Sequence, residues 1–161
     1  MRITEEMGNL AAWEKRLFYM CSARPTLHPR ALFSDVTSDY RNPAEPVPGD
    51  EVTIRLRTGR YNVDKAYLVV DNVEHVMTRV RSESMFDYYE AKINVGTDKI
   101  YYYFKVELGR TVCYYNQIGA IKDLNPYYNF QITPGFKTPE WAKGAVMYQI
   151  FVDRFYNGDK S

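Results

Sequence analysis

The sequence predicts an all-β domain built as an antiparallel β-sandwich, on three observations. Aromatic residues make up 16% of the 161 residues, and 15 of them are Tyr; such side chains favour strands and half-wet surfaces. Apolar and polar residues alternate with period two through the middle of the chain, the pattern of a strand with one buried and one solvated face. Turn residues interrupt that alternation at short intervals, with little helical periodicity between. Each strand so read has a single apolar face, so two sheets must pack face to face.

The elements follow in order. Residues 1–30 are an N-terminal extension. Leu10, Trp13, Leu17 and Met20 recur at near-helical spacing, which predicts a short amphipathic helix around 9–20. Pro25 and Pro29 then break the chain. The sandwich is expected over 31–133. A loop rich in turn residues, TSDYRNPAEPVPGD, leads into EVTIRLR, where Val52, Ile54 and Leu56 alternate with Thr53, Arg55 and Arg57. TGRYN reads as a turn, KAYLVVD as a second strand, and HVMTRVR as a third. MFDYYEAKINV places Tyr89, Ala91, Ile93 and Val95 on one face. After the GTD turn, KIYYYFKVEL sets Ile100, Tyr102, Phe104, Val106 and Leu108 against Tyr101, Tyr103, Lys105 and Glu107. Gly109 closes a hairpin onto VCYYN. Six or so strands result.

Residues 134–144, with Pro134, Gly135 and Pro139, read as a linker. In AVMYQIFVDRF, within 145–161, alternation fades into a nearly continuous apolar run, as in a strand buried on both faces of a parallel sheet. A parallel strand needs partners from other sequence, so this segment reads as the start of a further domain.

Composition narrows function. With 21 basic and 20 acidic residues the net charge is +1, which steers the chain toward neither nucleic acid nor an anionic membrane. Arg55, Arg57 and Arg60 read as a solvated strand face. The N-terminal segment lacks the pattern of a signal peptide, and no apolar run spans a membrane, so a cytoplasmic location is expected. Cys21 and Cys113 are expected to be free thiols. His28 and His75 lack ligand-like spacing for zinc.

The segment TPEWAKGAVMYQIFVDRFYNGDKS resembles the entry into the catalytic barrel of glycoside hydrolase family 13, the α-amylase family, and within it the cyclomaltodextrinase, neopullulanase and maltogenic amylase group. Upstream, RALFSDVTSDYRNP, EVTIRLR, MFDYYEA, KIYYYFKVE and YYNQIGA fall in the order of that group's N-terminal domain, a family 34 carbohydrate-binding module. The resemblance covers Arg30 to Ser161; residues 1–29 have no counterpart. It implies an immunoglobulin-like antiparallel β-sandwich, a linker, and a truncated first strand of a TIM barrel.

Retaining hydrolysis of a glycosidic bond needs two carboxyl groups about 5–5.5 Å apart, and barrel active sites are built at the C-terminal ends of the strands. The resemblance places the family's catalytic carboxylates on later barrel strands, so no catalytic residue is expected here and this chain alone should be inactive. Asp153 and Arg154 read as a barrel ion pair. The turn holding Asn157 and Asp159 resembles the start of a calcium site. Calcium takes six to eight oxygens, so two side chains imply calcium in a full-length enzyme and none in this fragment.

For sugar binding, a pyranose ring lays its apolar C–H face on an exposed aromatic ring while neighbouring polar groups bond its hydroxyls. Tyr40, Arg41 and Asn42 sit where the family's sugar-facing aromatic can occur, and Tyr61 with Asn62 form a second candidate. The alternative is that both tyrosines merely cover the sandwich ends. Tyr101 and Tyr103 are a third platform or a sheet-covering face. Trp141 reads as a linker anchor and Trp13 as a core residue. Three functions follow: a module that holds α-glucan oligosaccharides for the catalytic barrel of the same parent chain, a structural arm in a homodimer, or an immunoglobulin-like adhesion domain. Nucleic acid and membrane are not expected partners.

Overall fold

The computed structural model describes residues 26–147. The expected helix over 9–20, Cys21, the apolar segment beyond Met147, Asp153, Arg154, Asn157 and Asp159 lie outside those residues. Among the described residues ten strands follow one another: β1 (Arg41–Asn42), β2 (Glu51–Gly59), β3 (Lys65–Val70), β4 (Val73–Val76), β5 (Thr78–Ser82), β6 (Phe86–Asn94), β7 (Ile100–Leu108), β8 (Thr111–Asn116), β9 (Gly119–Ile121) and β10 (Phe130–Ile132). They make two antiparallel sheets, as the one-sided alternation demands. The first runs β1-β2-β6-β5, the second β4-β3-β7-β8-β9. β10 continues the second sheet by pairing with the start of β7, where Phe130 faces Tyr102 and Ile132 faces Ile100.

Alternation decides which side chains are inside. Val52, Ile54 and Leu56 of β2 and Tyr102, Phe104 and Val106 of β7 are all fully buried, while their neighbours point outward. The second sheet gives the core an aromatic layer. The Phe104 ring lies 5.9 Å from Tyr102, 6.2 Å from Tyr115 and 5.9 Å from Phe130, and Tyr102 stacks on Phe130 at 5.2 Å. Leu27 and Leu32 join the core from before the first strand, either side of a 3-10 turn at Pro29–Ala31. Gly59 ends β2 because a Cβ there would lie 3.2 Å from both Ala31 and Asn62.

The outward arginines are engaged along the sheet surface, as expected of a solvated strand face. Arg55 pairs with Glu90 at 2.6 Å, the Arg57 guanidinium lies 4.9 Å from the Phe33 ring and 4.5 Å from Phe86, and Arg60 lies over Tyr61. One expected strand is corrected. HVMTRVR is not continuous: β4 belongs to the second sheet and β5 to the first. The chain crosses between them at Met77, whose side chain is buried and whose N–H donates to the Ala66 carbonyl at 2.9 Å. Beyond the crossover, β5 carries a bulge between Arg79 and Arg81. A bulge and flanking charges suit an edge strand, because they discourage pairing with another chain.

The Tyr102 hydroxyl is buried without a hydrogen-bond partner among the described residues. Burial pushes its pKa up to about 12, against the opposing pull of the Arg41 guanidinium. The unfolded chain would release this proton near pH 10, so it binds fewer protons than the native state between there and pH 12. Stability from this group is therefore complete below about pH 10 and lost as pH rises through about 12. In an ultraviolet titration we expect Tyr102 to keep its proton well above pH 10 and to release it only on alkaline unfolding. Ionisation of Tyr102 near pH 10, with the fold intact, would contradict this.

Candidate functional site

The chain before β1 folds on short-range bonds. Asp35 Oδ1 accepts from the Thr37 N–H at 2.9 Å and from the Thr37 hydroxyl at 2.6 Å. The Thr37 carbonyl in turn accepts from the N–H groups of Tyr40 and Arg41. Such Asp-initiated turns are a local alternative to regular structure. The turn delivers β1 onto β2, with Arg41 opposite Ile54 and Asn42 opposite Thr53. The Tyr40 carbonyl accepts from Arg55 N–H at 2.8 Å, and the Asp39 carbonyl from Arg55 Nη1 at 2.7 Å.

Extended backbone sends successive side chains to opposite faces. Tyr40 and Asn42 therefore share the outer face, and both line a cavity of about 240 Å³ together with Ser38, Asp39, Thr53, Arg55 and Glu90. The half-buried Tyr40 ring meets Phe33 edge-on at 5.0 Å. Burial raises the Tyr40 phenol pKa despite the opposing Arg57 charge, so at neutral pH it stays a protonated hydroxyl. Glu90 takes both guanidinium contacts of Arg55 on Oε1, from Nε at 2.8 Å and Nη2 at 2.6 Å. Its Oε2 has no hydrogen-bond partner among the described residues. The cavity thus joins an aromatic ring, hydroxyls, an amide and the acceptor oxygens of the Asp39 and Glu90 carboxylates, which can take bonds from ligand hydroxyls. That combination suits an uncharged polyhydroxylated ligand.

Arg41 faces the other way. Its Nη1 donates to the Gln131 carbonyl at 3.0 Å and its Nη2 to the Ala44 carbonyl at 2.7 Å. It clamps β1 and the following loop to β10 rather than lining the cavity.

The second predicted group lies at the far end of β2 and is not brought to the first. Tyr61 is exposed, with a left-handed backbone at φ 56°, a conformation costly for a bulky residue. Its N–H donates to Asp87 Oδ2 at 3.1 Å, and the buried Asp87 also accepts from the Ser82 hydroxyl at 2.5 Å. Asn62 is buried: its Oδ1 accepts from His28 N–H at 2.8 Å and its Nδ2 donates to the His28 carbonyl at 3.2 Å. It staples the segment before the sandwich, and no sugar hydroxyl can reach it. Asn62→Ala should lower the unfolding free energy by about 1–3 kcal/mol, since the His28 N–H loses its acceptor and the His28 carbonyl is left with only the Ala31 N–H. A urea midpoint equal to that of the parent chain would refute the staple.

Tyr103 packs edge-on against Tyr114 at 6.0 Å, and Tyr101 remains half exposed. Lys105 lies between Glu74 at 3.0 Å and Glu107 at 3.1 Å, which together raise its pKa. This face of the second sheet is therefore a cover of rings and paired charges. Trp141 is exposed on a 3-10 turn at Glu140–Ala142. The linker is tied back to the sandwich, because Thr138 N–H donates to Glu45 and Gly135 N–H to the Pro46 carbonyl. Among the described residues there is no group of three or more His, Cys, Asp or Glu that could hold a metal, and no helix is long and apolar enough to cross a membrane.

Sequence reasoning missed Ser38, Asp39, Thr53, Arg55 and Glu90 as lining residues. The alternation that exposes Arg55 was legible, but its pairing with Glu90 depends on the register between β2 and β6.

Comparison with known proteins gives consistent matches. Residues 40–134 match the family described as α-amylase, N-terminal Ig-like domain. The amylopullulanase of Thermoanaerobacterium thermosulfurigenes is 36% identical over 143 residues, which is 77% of this chain and 8% of that protein. The cyclomaltodextrinase of Thermoanaerobacter pseudethanolicus is 31% identical over 134 residues, 73% of this chain and 23% of its own length. A solved cyclomaltodextrinase structure superposes with a TM-score of 0.54 at 25% identity, covering 81% of this chain and 24% of that one. The chain thus spans less than a quarter of each of these proteins.

Proposed function

The chain belongs to the α-amylase N-terminal Ig-like domain family, and from that premise we propose that it binds α-glucan oligosaccharides for a glycoside hydrolase of which it forms the front. The observation that carries this reading is the pairing of Tyr40 and Asn42 on one outward face, opening into a cavity of about 240 Å³ beside the Arg55–Glu90 pair. One sugar ring resting on Tyr40 would exchange hydroxyl bonds with Asn42, Thr53 and Glu90. Relatives whose names are amylopullulanase and cyclomaltodextrinase support an α-glucan ligand. The catalytic barrel would follow the linker, with exposed Phe136 and Trp141 seated against it. This chain alone would then hold glucan without cleaving it.

Calorimetric titration with maltotriose and β-cyclodextrin tests the reading. Saturable heat is expected, with a dissociation constant on the order of 1 mM or tighter, about −4 kcal/mol. Absence of binding up to several millimolar would refute it.

A second reading is an arm that joins two copies of the parent enzyme. The outer face of the second sheet favours it, since Val76, Tyr101 and Val112 are exposed there. Sedimentation that stays monomeric at every concentration, for the chain and for its full-length parent, would set that reading aside.

A further inference from the structure

At the edge of the first sheet, where β4 of the second sheet comes alongside, lies a second, larger cavity of about 560 Å³, which shares one residue with the first: Glu90. It forms because β5 pairs with β6 only from Thr78 opposite Glu90 onward, after which the chain has left for the other sheet at Met77. The β6 edge at Ala91 and Lys92 therefore borders an open notch rather than a strand. His75, Val76, Thr78 and Val80 form its other walls.

We propose that the two cavities are one trough, and that its ligand is a linear α-glucan of several residues laid across the strands rather than a single terminal sugar. The inference rests on the reading that the Tyr40 cavity takes glucan. Three observations carry it further. First, the cavities meet at Glu90, whose Oε1 is held by Arg55 while Oε2 faces no protein donor among the described residues. Secondly, the charges of the far cavity are already matched. Glu74 pairs with Lys105 at 3.0 Å and Lys92 with Glu51 at 2.6 Å. Besides the carboxylate of Glu90, what remains for a ligand is the Thr78 hydroxyl, the His75 ring and the exposed side chains of Val76 and Val80. Hydroxyl partners beside apolar C–H surface suit a neutral sugar chain better than an ion or a charged peptide. Thirdly, the span is right for an oligomer. From β1 across β2 and β6 to β5 is three strand spacings, about 14 Å, too long for one ring.

The test uses this chain with maltose and maltohexaose as probes, measured by calorimetry. Maltohexaose should bind at least about twentyfold more tightly than maltose, more than the few-fold gain expected from extra binding registers alone. Thr78→Arg, at an exposed position in the far cavity, should reduce the ratio to that few-fold level while leaving maltose affinity unchanged. Retained maltose binding certifies its fold, and Val80→Arg gives an independent block if Thr78→Arg loses maltose too. A wild-type ratio of only a few-fold, or a ratio that survives both substitutions, overturns the trough. In that case maltose binding that is lost on Tyr40→Ala leaves the single-cavity reading standing. Binding of neither sugar overturns both.

Discussion

Replacing Phe104 by alanine should lower the unfolding free energy by about 3–5 kcal/mol. Phe104 lies fully buried in the middle of β7, within ring contact of Tyr102, Tyr115 and Phe130. Three neighbouring rings held by strand pairing on both sides cannot collapse into the space that one lost ring leaves. The cavity then adds to the lost transfer free energy. Domains of this size are stable by only about 5–15 kcal/mol, so the variant should lose a large fraction of its stability. Urea unfolding reads it as a fall in midpoint at unchanged slope. A shift smaller than about 1 kcal/mol would mean that the aromatic layer is not the centre of the core.

Tyr40→Ala should abolish measurable glucan binding, a loss of at least about tenfold in affinity, or 1.4 kcal/mol. Among the described residues the ring is the only aromatic surface lining the cavity, and aromatic contacts carry much of the energy at such sites. Tyr40→Phe separates the ring from its hydroxyl: most of the affinity should remain. Because Tyr40 packs on Phe33 at the sheet edge, the alanine variant should also unfold somewhat earlier. Urea midpoints measured in parallel keep loss of binding distinct from loss of fold. Affinity that survives Tyr40→Ala would move the ligand elsewhere, with exposed Tyr61 the next candidate.

Much of the fold could be read from alternation because alternation is a local property. β2, β6 and β7 lie where the period-two runs lie, with the expected faces inward, and β3 and β8 lie within the stretches read as strands. The misread stretch, HVMTRVR, fails for a physical reason. Met77 is buried at the crossover much as it would be inside one strand, so the pattern gives no sign that the chain changes sheets. β1, β9 and β10 are too short to produce a pattern of their own, and long-range pairing supplies their order.

The candidate site divides in the same way. Tyr40 and Asn42 could be picked out as an aromatic and an amide in a turn-rich loop, and their common face follows from the extended backbone between them. That Arg41 turns inward to Gln131 and Ala44 depends on where β10 packs. Asn62 has the composition of a binding turn, yet its partner His28 lies far off in sequence, so its role as a staple becomes visible only in three dimensions. Glu90 enters the site through the register of β2 on β6, which a one-residue slip would reverse.

Amide chemical-shift mapping of the isotope-labelled chain, titrated with maltohexaose, tests most directly whether glucan sits on the outer face of the first sheet. Saturable shifts should cluster at Tyr40, Asn42, Thr53 and Arg55 and continue through Glu90 to Thr78. Shifts confined to the exposed Tyr127–Tyr128 turn or to the outer face of the second sheet, or no shifts at all, would contradict the account.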